Sequence, residues 1–328
     1  MKDKALDVSF RYGTLVVIAA VFVFFSITNP NFLSYDNIFD ILRSISIVTF
    51  VAIGVTLSQI VDGFDLSVGS TVSITTVVAA SLMVWYEQPL IVVLLVPLAI
   101  GIGIGLLNAF LIVKVRIPDL LATLTVMYII AGVHKTYTKG FSVYNNMPMP
   151  DGTTAKGVVT ESFKWLGQGK IIGLPVPVVL MIIAVAAVHI FLTYTRWGRQ
   201  LYITGGNREA ARLSGIGVNR VRTAAYVLSG LFAAIGGILY AARIGSGQID
   251  AGAPLLMEAV AAVFVGYSVL GAGKPNVIGT FFGAVLIGIL LNGLTMLNVP
   301  YYSFDIIKGG VLLAALAVTF VHLNRRRQ

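Results

Sequence analysis

The sequence predicts an all-α, polytopic membrane protein: a helical bundle of about ten transmembrane helices with both termini cytoplasmic. Three observations predict it. Of 328 residues, 57% are apolar and only 11% charged, where a soluble domain carries roughly 25% charged residues. The apolar residues gather into runs near the length that crosses a bilayer as a helix. The 23 lysines and arginines lie in short clusters between the runs, as topology signals do. Because the runs are continuous rather than alternating, a transmembrane barrel is excluded.

The first run, Gly13 to Thr28, has a basic start but meets Asn29-Pro30-Asn31 without a small-residue cleavage site, so it reads as a retained helix and not a cleaved leader. Ser44 to Val61 follows, and after the polar interruption Asp62-Gly63 comes Leu66 to Tyr86. Leu90 to Val113 ends against Lys114 and Arg116, and Asp119 to His134 makes the fifth run. Beyond a long polar segment lie Leu174 to Tyr194, Thr223 to Ala242, Met257 to Ala272, Val277 to Leu297 and Tyr301 to His322. The fifth and eighth are short enough to be re-entrant, and charge decides between the two forms. With ten crossings, Lys2, Lys4, Arg11, Lys114, Arg116, the six arginines of residues 195–222, Lys274 and Arg325 to Arg327 fall inside, fifteen of the 23 cations. Omitting the fifth crossing exports those six arginines, and omitting the eighth exports the basic tail. The chain therefore reads as one transmembrane domain, 1–328, with an external loop at 135–173 and a cytoplasmic loop at 195–222.

Several functions are excluded. The chain has no cysteine and three histidines, which removes disulfides, thiolate catalysis and cysteine metal sites; no catalytic residue and no metal ligand set is expected. Gly169-Lys170 and Gly273-Lys274 lack the spacing and the hydroxyl of a phosphate loop, so the chain neither hydrolyses ATP alone nor holds a cofactor. The net charge of +9 follows the loops and not a polar face, and does not mark a nucleic-acid surface. Gly101 and Gly105, like Gly279 and Gly283, have the spacing that lets membrane helices approach closely.

Two stretches carry chemistry. In Gly205 to Ile216, Asn207 is a good N-cap, Glu209 sits in the first turn, and Gly215 can adopt the left-handed conformation that stops a helix. Arg208 and Arg212 are spaced i,i+4, Glu209 can pair with Arg212, and Leu213 with Ala210 and Ala211 is left to insert into something. A helix of about two turns is too short to stand alone and needs a partner surface. The second stretch, Gly63-Phe64-Asp65-Leu66-Ser67-Val68-Gly69-Ser70, breaks the apolar sequence. One reading has Asp65 or Ser67 capping the third span. The other has a broken helix lining a translocation path, with Gly63, Asp65, Ser67 and Gly69 facing a hydrated cavity and Gln59, Asn108 and Asn292 contributing amides. A lone amide in a span also serves as an interhelical hydrogen bond. There is no chain of mid-membrane carboxylates to relay protons.

Glu209-Ala210-Ala211 followed by Gly215 resembles the signature with which permeases of bacterial ABC importers dock their ATPase, without its Ile-x-Leu-Pro tail. Gly63 to Ser70 resembles the Gly-Ile-Asp-Leu-Ser-Val-Gly-Ser string of ribose-type monosaccharide permeases, with Phe64 in place of isoleucine. Ile117-Pro118 with Thr123-Leu124 and Met127, and Gly266 to Thr280, are also similar, the last departing at Tyr267, Ala272 and Pro275-Asn276. The chain thus resembles the ribose-type ABC importer permeases of the carbohydrate-uptake and branched-chain permease superfamily, over about residues 36 to 320. The resemblance implies a permease subunit of the bacterial plasma membrane that moves a monosaccharide or similar polyol inward. It implies a second permease, identical or paralogous, a cytoplasmic ATP-binding subunit that uses ATP and magnesium, and an external solute-binding protein. Residues 207 to 215 would dock the ATPase. The external loop, with five lysines against Asp151 and Glu161 and the pair Phe163 and Trp165, would meet the binding protein. The alternatives are an ABC permease for branched-chain amino acids or nucleosides, and an ion-coupled carrier.

Overall fold

Each apolar run forms a helix in the computed structural model, which describes residues 2–149, 152–267, 269 and 274–325, with side chains described from 13 to 317 except 316. Asp151, Ala272, Gly273, and Arg326 and Arg327 of the basic tail, all named above, lie outside the described residues. In order the helices are α1 Lys2–Thr28, α2 Tyr35–Ile60, α3 Ser67–Val84, α4 Leu90–Ala109 (continued by a π turn, Phe110–Lys114), α5 Asp119–Tyr137, α6 Glu161–Gln168, α7 Val176–Tyr194, α8 Arg196–Gly206, α9 Arg208–Leu213, α10 Val218–Ile244, α11 Gly252–Gly266, α12 Val277–Met296 and α13 Phe304–Arg325. Among the described residues, six helices are long and apolar enough to cross a membrane: α2, α4 with its π turn, α5, α7, α10 and α12. Gly13–Thr28, Val68–Val84 and Gly252–Gly266 are shorter apolar helices. The eighth run is displaced from its expected limits. Gly252 packs directly on the backbone of Gly69 in α3 and its N–H donates to Ser73 Oγ at 2.9 Å, so α11 starts five residues before Met257.

The core forms around α2 and α10, which pack on each other and on α3, with α4 against α10 and α12 against α11. Backbone proximity is what the small residues provide. A Cβ on Gly101 would meet Ala234 Cβ at 2.6 Å, one on Gly105 would meet Val227 Cα at 2.7 Å, and one on Gly283 would strike the Ala262 backbone, so both glycine pairs are contact faces. Hydroxyls within α2 are satisfied locally: Ser46, Thr49 and Thr56 each donate to the carbonyl four residues back at 2.7 Å, as an apolar surrounding requires. The outer helices α4, α5 and α7 leave large apolar side chains exposed, among them Leu95, Tyr128, Ile129, Ile182 and Ile190, the surface a lipid chain would cover.

Contacts between loops segregate into two sets. At one end, Asp62 meets Arg208 at 3.3 Å, Asp119 meets Arg222 at 2.6 Å and Tyr202 donates to the Pro275 carbonyl at 3.0 Å. At the other, Lys135 pairs with Asp250 at 2.8 Å, Val143 bridges to Gly247, Arg243 donates to Ser44 at 2.8 Å and Asn292 donates to Asn37 at 2.9 Å. The 135–173 segment is ordered: Thr160 caps α6, a short hairpin joins β1 (Lys170–Ile171) to β2 (Leu174–Pro175), Phe163 is fully buried and Trp165 half exposed. The 195–222 segment folds as α8, α9 and the first turn of α10.

Candidate functional site

Helix α2 stops where the chain turns left-handed. Asp62 has φ 56°, a conformation that aspartate tolerates better than most residues, and the Gly63 N–H donates back to the Ser58 carbonyl at 3.0 Å. Gly63 must be glycine here, since a Cβ would run into the Tyr226 hydroxyl and lie 2.7 Å from Asp119 Oδ2.

Two residues further, the Asp65 carboxylate is fully enclosed. Its Oδ1 accepts from the Ser67 N–H at 3.0 Å, from Ser67 Oγ at 2.6 Å and from Asn108 Nδ2 at 3.4 Å, while Oδ2 accepts from Ser229 Oγ at 2.8 Å. Asn108 Nδ2 also donates to Ser67 Oγ at 2.7 Å. One carboxylate thus caps the start of α3 and fastens α3, α4 and α10 together. In this conformation Asp65, Ser67 and Asn108 have almost no contact with open space, and Asn108 Oδ1 is buried without a partner.

The remaining candidates stand apart from that network. Gly69 faces α11, where a Cβ would come within 3.1 Å of Leu256 Cβ. Gln59 accepts from the Tyr267 hydroxyl and keeps a buried Nε2 without a partner. Asn292 bonds Asn37 at the opposite end of the molecule. Gln59, Asn108 and Asn292 all make interhelical bonds, whereas His189 meets Thr193 at 3.5 Å and the Tyr194 ring edge-on, both on its own helix.

Beneath the junction lies a cluster that reading the sequence missed. Arg222 Nη2 donates to both oxygens of Asp119 at 2.6 Å, and the Tyr226 hydroxyl donates to Oδ2 at 2.5 Å. The signal was available: the topology puts the start of α5 and the start of α10 on the same side, so an acid and a base at those two helix ends were candidates for a pair.

Helices α8 and α9 rest on this junction. Asn207 Oδ1 accepts from the Ala210 N–H at 2.9 Å. Gly215 has φ +80°, and the Gly215 and Ile216 N–H groups close on the Arg212 and Ala211 carbonyls at 3.0 Å, the paired bonds of a Schellman ending. Glu209 pairs with Arg212 at 2.5 Å, and that hydrogen bond with the guanidinium charge holds its carboxyl below the ordinary carboxylate range. Ala211 is buried, while Glu209, Ala210, Arg212 and Leu213 point outward, Leu213 with 75% of its surface exposed. Arg208 Nη2 donates to the Asp62 carbonyl at 2.7 Å, and a Cβ on Gly205 would strike the Ile60 carbonyl. The outward face of α9 is therefore one short helix away from the Asp65 network.

Comparison with known proteins agrees on one family. The family described as "Branched-chain amino acid transport system / permease component" matches residues 37–316. The chain is similar to the ribose import permease protein RbsC of Escherichia coli (strain K12), 38% identical over 97% of this chain and 93% of that one. It is also similar to RbsC of Bacillus subtilis (strain 168), 33% identical over 93% and 91%. The galactose/methyl galactoside import permease protein MglC of Salmonella typhimurium (strain LT2) is 32% identical over 96% and 95%. No solved structure matches.

Proposed function

We propose, on the premise that this chain belongs to the branched-chain amino acid transport system permease-component family, that it moves a monosaccharide or similar polyol through the plasma membrane as the permease subunit of an ABC importer. The family description names branched-chain amino acids, but the relatives that align over nearly the full chain are named for ribose and galactose import, which favours a sugar. The permease works as a pair, with an identical or paralogous copy. A cytoplasmic ATP-binding subunit supplies the ATP and magnesium chemistry, and an external solute-binding protein delivers the solute. Residues 1–328 act as one transmembrane unit with ten crossings and both ends inside. The segregation of contacts into two ends supports that topology, because among the described residues Arg208, Arg222 and Tyr202 of the 195–222 segment meet Asp62, Asp119 and Pro275, all expected on the inside.

The observation that carries the reading is α9, capped at both ends and tied to the junction beneath it. Asn207, Arg208, Glu209, Ala210, Ala211, Arg212 and Gly215 form the docking element, with Leu213 as its apolar tip. Motion of the ATPase reaches Asp62 through Arg208 and reaches Ile60 through Gly205. Gly63, Asp65, Ser67 and Asn108 form the seam between α3, α4 and α10 that parts to admit the solute, with Gly69 and Gln59 on its flank and Asn292 near the opposite mouth.

Reconstitution of the permease with its ATP-binding subunit and binding protein tests the reading. ATP-dependent uptake of ribose or galactose is expected, with loss of ATPase co-purification in Gly215→Val and Glu209→Ala. Uptake driven by an ion gradient without the ATPase, or wild-type co-purification of both variants, would overturn it.

A further inference from the structure

Helix α8 presents an outward face of its own, and α7 fixes the level at which it sits. The 19 residues of α7 make roughly 28 Å at the helical rise of 1.5 Å per residue, close to the hydrocarbon core of a bilayer. Its last turn therefore falls at the boundary between acyl chains and headgroups. There the chain turns sharply. Thr195 is extended; its Oγ1 donates to the Phe191 carbonyl at 2.6 Å and accepts from the Gly198 N–H at 3.1 Å. A Cβ on Gly198 would strike the Leu192 backbone, although six residues of a continuous helix span about 9 Å. So α8 folds back across the end of α7 instead of prolonging it.

The inner side of α8 buries Gly198, Leu201 and Thr204 against α7, α10 and α2. The outer side exposes Arg196, Trp197, Arg199 and Ile203, and the helix carries no acidic residue. Of the six arginines of residues 195–222, Arg208, Arg212 and Arg222 are engaged by Asp62, Glu209 and Asp119. Among the described residues, Arg196, Arg199 and Arg220 pair with no acid. The charges on the outward face of α9 are thus neutralised within the chain, while those on α8 are left for an anion from outside it.

Continuity shows what covers this face. On α7, Ile183, Ala187, Ile190 and Tyr194 are exposed at steps of four, three and four residues, one stripe of a helix and part of the surface that lipid chains cover. The stripe runs into Tyr194 and Trp197, and the unpaired arginines begin where it stops. Apolar side chains, then aromatic rings, then cations is the order of a bilayer read outward from its hydrocarbon, and cations at that level meet the phosphate of anionic lipids.

We propose that this face of α8 binds anionic phospholipid, with Arg196 and Arg199 on the headgroup phosphates and Trp197 and Ile203 at the acyl boundary. The proposal rests on α7 spanning the membrane, and the topology proposed above makes the leaflet the cytoplasmic one. Because α8 carries Gly205 against the Ile60 carbonyl and leads into α9, bound lipid sets the level at which the docking helix meets the ATPase.

The chain has three tryptophans, so Trp85→Phe/Trp165→Phe leaves Trp197 as the sole reporter. The full chain is placed in phosphatidylcholine nanodiscs holding a minor fraction of lipid brominated near the headgroup end of its acyl chains. Brominated phosphatidylglycerol is expected to quench Trp197 at least twofold more than brominated phosphatidylcholine at equal fraction, and raised salt should narrow the difference. Arg196→Gln/Arg199→Gln should bring the two lipids to parity, whereas Arg196→Lys/Arg199→Lys should keep the preference, which a merely structural role for the guanidinium groups would not. Thermal unfolding in pure phosphatidylcholine, unchanged across the set, shows that the variants are folded. Equal quenching by both lipids with the arginines in place, or a preference that survives the Gln pair, would overturn the proposal. So would a Trp197 quenched by neither lipid and shielded only when the ATPase is added, which would give the face to a protein partner. An ATPase that binds in no lipid would overturn the importer reading and leave the quenching result standing by itself.

Discussion

Replacing Asp65 with alanine removes the one acceptor that serves four donors at the meeting of α3, α4 and α10. Two of those donors are hydroxyls, on Ser67 and Ser229, and a hydroxyl can rotate onto a carbonyl of its own helix, as Ser46 and Thr49 already do. The Ser67 N–H and the Asn108 amide have no such escape, because both are fixed and buried. Each buried donor left unpaired costs about 1–3 kcal/mol, so Asp65→Ala should lose about 2–6 kcal/mol. A side chain that merely capped α3 would be worth about 0.5–2 kcal/mol. Asn276 is the internal standard: its Oδ1 accepts from the Gly279 N–H at 2.7 Å to cap α12. Thermal unfolding of the detergent-purified permease, with Asn276→Ala measured in parallel, gives the comparison. Asp65→Asn keeps Oδ1 and turns an amide toward Ser229 Oγ, which can accept; it should lose only about 1 kcal/mol while slowing ATP-driven uptake severalfold, because the charge-assisted bonds of the seam are weakened. An Asp65→Ala protein no less stable than Asn276→Ala would refute the reasoning that the network fastens three helices.

Other outcomes follow from the same geometry. Arg222→Met should destabilise by about 1–3 kcal/mol, because it leaves the partly buried Asp119 carboxylate with the Tyr226 hydroxyl in place of a guanidinium, and the double variant Asp119→Leu/Arg222→Met should recover most of that, as read by thermal unfolding. Gly215→Val places a β-branched residue in a left-handed conformation that costs an ordinary residue about 1–2 kcal/mol; ATPase co-purification should drop at least tenfold, more than for Gly215→Asn. Gly205→Leu should push α8 off the Ile60 carbonyl and raise ATP hydrolysed per sugar moved, with the ATPase still bound. Since the Glu209 carboxyl is held below its ordinary value of 4.5 by Arg212, its contribution to α9 is present above that value and is lost as pH falls further. Docking measured by light scattering should therefore be flat from pH 7 to about pH 5, and a fall in that range that Glu209→Gln abolishes would contradict the assignment.

The bilayer acts on the chain residue by residue, and that is why so much was legible in order along the sequence. Length and hydropathy located the runs from Gly13 to His322, charge clusters supplied the expected order of crossings, and Asn207, Glu209 and Gly215 specified a capped short helix whose bonds the fold reproduces. The glycine pairs at 101 and 105 and at 279 and 283 announced close contact without naming what they touch. What only the tertiary structure decided are the pairings across distance. Asp65 with Ser229, Asp119 with Arg222 and Arg208 with Asp62 join residues more than a hundred positions apart, and a one-dimensional pattern leaves every such partner open. The same holds for α8, whose polar helix lacks an apolar run to mark it. Hydropathy depends on what each residue is; a site depends on which helix faces meet, and α10 settles that by packing its small residues against α2, α3 and α4 at once.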